Sequence, residues 1–566
     1  MSAVEAYARL LAARAGAAQP VASVRHVHLS ERPLVLVPLT MAGEANAPLA
    51  ALVGTDERAP ALLVVGQPRD RALRFAFASE LAGILLAHVE RCAAAGTEPV
   101  KPPKAAARQQ PATAPAGRGA GRAGAAAGGL GGAPAGADAA GTGEQGTDGP
   151  GADWEAEAAP EPAEPVRFLD APQVLVPNRA GIDFVRLFGR STRFRATTGE
   201  HAVPAAVPVL GRWLTYLAGR AEHPGSASLV AMTEALTLHW ATGQSALEDA
   251  NLAALMAWID PPAGLSGPEA ALLAEDPVRW PPAGPATDPQ FDNRVLAPAI
   301  RAYDAAAAGQ AGSGGGDERL GEALAEIQRV ARTQLEPTWR LMWRAVDRLR
   351  ALPAAASAPR RWERDRARFT AYYSYLRDSD GGLPQARRDG AVAAARRLGA
   401  LERELAEYEA DRAFDDPLVL AGHRVTGEAF VGTVVGADRE RRRPNERGSL
   451  VTRPLVQLRT VDPARLATGT RVRSPARPGQ TGVTLAVEPA DDGFLVVLEL
   501  SGGMGRSKVP PPGSVPKVGE TLAYTSLLVE GAFSAGLPAP EDTPWTHGGP
   551  PSPYEPAEQD ARELWE

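Results

Sequence analysis

From Thr97 to Pro165 the chain is so rich in Ala, Gly and Pro, and so poor in larger apolar side chains, that burial cannot offset the entropy of ordering it. The stretch reads as a disordered linker, 97–165, between a small leading domain, 1–96, and a large remainder. Its Gly and Pro lack the collagen period, and its charge runs from basic at Lys101–Arg122 to acidic at Asp148–Glu164. A passive spacer is the simpler reading, and collapse on itself or onto a charged partner is the other.

A chain of 566 residues exceeds what one core holds, so several domains are expected. Heavy use of Ala and Arg resembles the output of a high-GC, actinobacterial-like genome, which weakens any argument from arginine content alone. The single cysteine, Cys92, rules out an intramolecular disulfide and reads as a buried side chain. No Cys/His set has zinc spacing, so neither metal nor cofactor is expected. No apolar run approaches the ~18 residues of a membrane span. The opening MSAVEAYARLLAARAG places acids and arginines where a signal sequence would be apolar, and the expected location is cytoplasmic.

Within 1–96, Val4–Ala15 has helical spacing, 34–39 and 61–65 read as buried strands, and Arg71–Cys92 reads as an amphipathic helix. His88, on its apolar face, reads as a core histidine. The turn Gly66–Arg71 opens that helix, and its N–H groups with Arg69, Arg71 and Arg74 form a weak candidate anion site. The plainer reading is an ordinary connection with solvated arginines, since the phosphate-cradling glycine pattern is absent.

Residues 166–310 read as a helical domain with one strand at 173–177. Gly181–Arg195 interleaves Phe184, Phe188 and Phe194 with Arg186, Arg190, Arg193 and Arg195. That pattern suits either a stacking platform for single strands or an amphipathic helix with an aromatic core face, and the second is preferred. Helices are expected over 207–221 and 228–242, and a third after the Ser245–Glu248 capping box, ending at Pro261-Pro262. His223, His239, Glu234, Glu248 and Asp249 match no metal or catalytic spacing. Residues 317–414 read as long charged helices forming an exposed stalk, with Pro337 marking a kink or a boundary. Arg360, Arg361, Arg364, Arg366 and Arg368, near Tyr372, Tyr373 and Tyr375, read as a solvated face rather than a nucleic-acid patch.

From 415 to 531 the period becomes that of strands, expected at 423–435, 450–459, 471–473, 482–487, 494–500 and 521–528. Asp491-Asp492-Gly493 reads as a hairpin turn, and six short strands suggest a small OB- or SH3-like barrel. A Pro-rich acidic tail, 532–566, follows. The fold class expected is thus multidomain α+β: a small N-terminal α/β module, a disordered linker, a mostly helical middle and a C-terminal small β-barrel.

The barrel segment is conspicuously basic, and Arg459, Arg465 and Arg477 add to its charge. Its candidate nucleic-acid-binding residues are Arg439, Arg441, Arg442, Arg443, Arg447, Arg453, Arg471 and Arg473, with Arg506 and Lys508 from the Gly-rich loop 501–508. That loop lacks Walker spacing and precedes no helix. GxSxG, a usable Cys–His setting and a Walker motif are all missing, so no catalytic residue is assigned. The reading is a non-enzymatic adaptor that binds nucleic acid through this barrel as an accessory subunit of a larger assembly, its ATPase or helicase supplied by a partner. The alternatives are a protein-binding scaffold whose arginines are compositional, and a hydrolase or nuclease assembled from scattered carboxylates.

Overall fold

The structure is a computed structural model describing residues 3–45, 47–100, 166–309, 316–378, 391–445, 448–505 and 509–527. Most of the linker, the break at 310–315, the tail, Arg447, Arg506 and Lys508 lie outside the described residues. The chain forms two units, one of 1–91, 172–365 and 384–566, the other of 92–171 and 366–383.

Leu34–Thr40 is buried along its whole length because it lies inside a five-stranded sheet. Its neighbours are Pro48–Gly54, antiparallel, and Val174–Val176, parallel, with Ala61–Val64 and Leu229–Ala231 at the edges. The sheet thus takes three strands from before 101–165 and two from after it. The leading residues therefore share one sheet with the remainder, where the sequence suggested a separate domain ending at 96. Pro38, with no N–H, is tolerated because the parallel pairing stops at Leu34 and Val35.

The Arg71–Ala94 helix is long and apolar enough to cross a membrane by composition, the single such helix among the described residues, yet its Phe77, Leu81, Leu85 and Val89 are buried. The Arg179–Thr192 helix starts where Asn178 accepts from Gly181 N–H and buries Phe184 and Phe188, which stack at 5.5 Å. Its aromatic stripe faces the core, as preferred above. Residues 228–242 are not one helix but a strand, the Met232–Thr237 turn of helix and a second short strand. Leu229, Val230 and Ala231 are buried on both faces, where apolar periodicity cannot separate strand from helix. Ser245 and Glu248 exchange their capping-box hydrogen bonds but enclose only a 3₁₀ turn; Asn251 caps the Leu252–Ile259 helix.

Gly316–Arg350 is one helix with Pro337 inside it. Ala391–Asp415 is not a free stalk. Arg360 meets Asp411 at 2.6 Å, Arg364 meets Glu407 at 2.7 Å, and His223 meets Glu404 at 2.6 Å, pinning its C-terminal half. Pro417–Thr426, expected to run into a strand, is a helix capped by the Asp416 carboxylate and ended by Gly427 at φ 86°. Proline after Asp416 and glycine at the far end are a start-and-stop pattern legible in the sequence.

The barrel is closed and antiparallel, its six strands ordered 429–438, 455–460, 493–501, 477–490, 471–474 and 521–525, the last pairing back to the first. Six strands set it apart from the five-stranded OB arrangement. Phe430, Val456, Leu458, Val472, Val496, Leu498, Leu522 and Tyr524 fill the interior. The 477–490 and 493–501 strands turn through Asp491-Asp492, with Gly493 at φ 133° in close approach to the Thr460 carbonyl.

In the smaller unit, Thr97–Pro99 and Val166–Phe168 pair antiparallel. Arg167 and Arg366 share the Glu98 carboxylate at 2.7 and 3.0 Å, and Phe168 packs on Phe369 and Tyr373.

Candidate nucleic-acid interface

A packed barrel offers ligands its outside. Between strands 429–438 and 455–460 the chain rises into a two-stranded ribbon in which Arg442, Arg443 and Pro444 pair with Thr452, Val451 and Leu450. Arg439, Arg441, Arg442, Arg443 and Arg453 cluster on or beside this ribbon, and Arg442 and Arg443 are exposed.

Sequence reasoning overlooked the carboxylates that meet these cations. Glu499 accepts from Arg441 at 2.6 Å and Arg443 at 3.1 Å. Burial pushes its carboxyl up, but the two guanidiniums outweigh that and hold it below the usual range. Glu520 likewise takes Arg477 at 2.8 Å. Arg441 also donates to the Arg453 carbonyl and Arg442 to the Leu450 carbonyl, which sets the ribbon's shape. Cross-strand register was the missing signal: Leu455 sits opposite Glu499, which places that carboxylate beneath the ribbon's base.

Arg471 and Arg473 do not join this group. Their strand lies three positions round the closed barrel from 455–460, on its opposite side. The candidate residues therefore form two basic groups rather than one face. Between 429 and 527 the sequence has fourteen Arg and Lys against nine Asp and Glu, so a positive excess survives the pairing.

The weak anion site has a different character. Asp70 accepts from Leu73 N–H at the start of the Arg71–Ala94 helix, so a carboxylate already occupies the position an anion would take. Arg69 pairs with Glu44 at 2.6 Å, and Arg71 stacks on Phe75 while donating to the His201 carbonyl.

Two other places gather reactive groups. A cleft of about 790 Å³ is lined by Arg9, Arg179, Asp249, Glu409, Arg412 and His423 among others. Arg9 meets Asp249 at 3.0 Å and His423 Nδ1 lies 3.0 Å from Glu428, so part of the polar lining is already paired. Buried His26 and Asp416 come together with exposed Ser23, whose Oγ donates to Asp416 at 2.9 Å while His26 Nε2 lies 3.3 Å from the same carboxylate. A nucleophilic serine would bond the imidazole rather than the carboxylate, and Ser23 and His26 instead hold the Asp416 carboxylate that caps the 417–426 helix. No group of three or more His, Cys, Asp and Glu suited to a metal occurs among the described residues. No family model, no curated protein and no solved structure matches the chain.

Proposed function

We propose that this protein is a non-enzymatic adaptor that contacts nucleic acid through the arginine ribbon at 439–453, within an assembly whose motor activity comes from a partner. The supporting observation is the ribbon itself: exposed Arg442 and Arg443 on one strand of a two-stranded ribbon held by a closed barrel. A major groove admits a two-stranded ribbon, and phosphates require only correctly spaced cations.

The test is fluorescence anisotropy of the full chain with single- and double-stranded DNA and RNA across a salt series. Three to five phosphate contacts on duplex DNA give a slope of log K against log salt of roughly −2.7 to −4.5. Arg439→Glu with Arg442→Glu weakens binding by at least about tenfold at low salt. Among the described residues Arg439 makes no side-chain hydrogen bond or ion pair and Arg442 donates only to the Leu450 carbonyl, so the thermal melt stays in place. Absence of binding at low salt overturns the reading in favour of a protein-binding scaffold, to which the Glu499 pairs already lend support.

A further inference from the structure

We infer that the acidic C-terminal segment 528–566 docks back onto the barrel, at the arginines beside its own exit point. This does not depend on the nucleic-acid reading. Arg473 pairs with Thr525 in an antiparallel ladder, so Arg471, two residues earlier, stands level with Leu527, the last described residue. Arg471 is exposed and has no hydrogen-bond or ion-pair partner among the described residues. Arg465 is in the same condition at the same end of the barrel, where its N–H donates to the Gly427 carbonyl.

The carboxylates near them are already engaged, Glu428 with His423 at 3.0 Å and Asp462 with Arg424 at 2.8 Å. Two cations without counter-charges thus flank the point from which the chain continues. What continues is strongly acidic, with eight Asp and Glu against the single Arg562. Its 39 residues reach about 100 Å or more when extended, far beyond what either arginine requires. Tethering sets an effective concentration of order millimolar, so even a weak contact is mostly closed.

The experiment uses the full chain with Glu541, Asp542, Glu555, Glu558, Asp560 and Glu563 changed to their amides, which vacates the surface. A fluorescein-labelled peptide of 528–566 is titrated with it at low salt, reading anisotropy. The peptide binds, the affinity falls about tenfold or more towards physiological salt, and Arg465→Glu with Arg471→Glu abolishes it. The wild-type chain, its own tail in place, binds the peptide more weakly. No binding at low salt, or binding indifferent to the two arginine substitutions, overturns the inference. Failure of the ribbon as a nucleic-acid contact would show only in the oligonucleotide titration.

Discussion

Asp416 shows how much a single buried carboxylate holds. Burial raises its carboxyl, but His26, the Leu418 and Ser23 N–H groups and the Ser23 hydroxyl outweigh that and keep it well below the usual range. His88 and His239 are shifted from 6.5 to about 4, chiefly because burial disfavours their charged forms. The unfolded chain takes up these protons near 6.5 while the folded chain refuses them until about pH 4. The stability each contributes is therefore complete above 6.5 and lost as pH falls to about 4, roughly 3 kcal/mol apiece. Asp416 extends the loss below its unfolded value of 3.8. Urea unfolding at stepped pH should give midpoints that fall continuously below 6.5, with His239→Gln flattening the upper part. A curve level down to pH 4 would contradict this assignment. The core role of His88 could be read from its place on an apolar face, whereas the environment of His239 could not, because it depends on residues far away in sequence.

At the scale of elements, the two ends of the arginine run 360–368 behave differently. Arg361 is 3% exposed, donates to the His26 carbonyl at 2.6 Å, and lies over the Tyr408 ring. Arg360 is half-exposed and pairs with Glu407 and Asp411 from the surface. Loss of the first leaves buried acceptors without a donor and costs about 3 kcal/mol, while loss of the second costs less than about 1 kcal/mol. Chemical denaturation of Arg361→Ala and Arg360→Ala measures the contrast, and equal effects would refute it. The sequence showed five arginines at helical spacing but not which one turns inward, since that is decided by the opposing helix at 391–415. Helices with long periodic stripes, such as Gly316–Arg350, and barrel strands with clean alternation were legible. The short parallel strands at 174–176 and 229–231 were harder, because a strand buried on both faces carries no alternation.

At the scale of the whole molecule, the decisive fact is that one sheet is completed by strands on both sides of 101–165. Removing 174–176 would expose the parallel edge of Leu34–Thr40, a strand buried throughout. A fragment of residues 1–96 is therefore expected to aggregate or to unfold without cooperativity. A sharp urea transition for that fragment alone would show the leading part to be self-sufficient. Low-complexity composition marked a true change in the chain, but not a boundary between cores. Spatial closure across it rests on pairings of two or three residues each, too short to leave a trace in the sequence. The same limit applies to the arginines: their number was visible, while their division between opposite sides of the barrel follows from strand order alone.

Pro99 and Val166 are ladder partners, so everything between them begins and ends at nearly the same point in space. For such a closed loop each doubling of length costs only about 0.6 kcal/mol. Natural variation can therefore lengthen or shorten this stretch by tens of residues with little thermodynamic consequence. For the same reason it is a natural port for splicing in a fluorescent reporter or affinity module without disturbing the sheet.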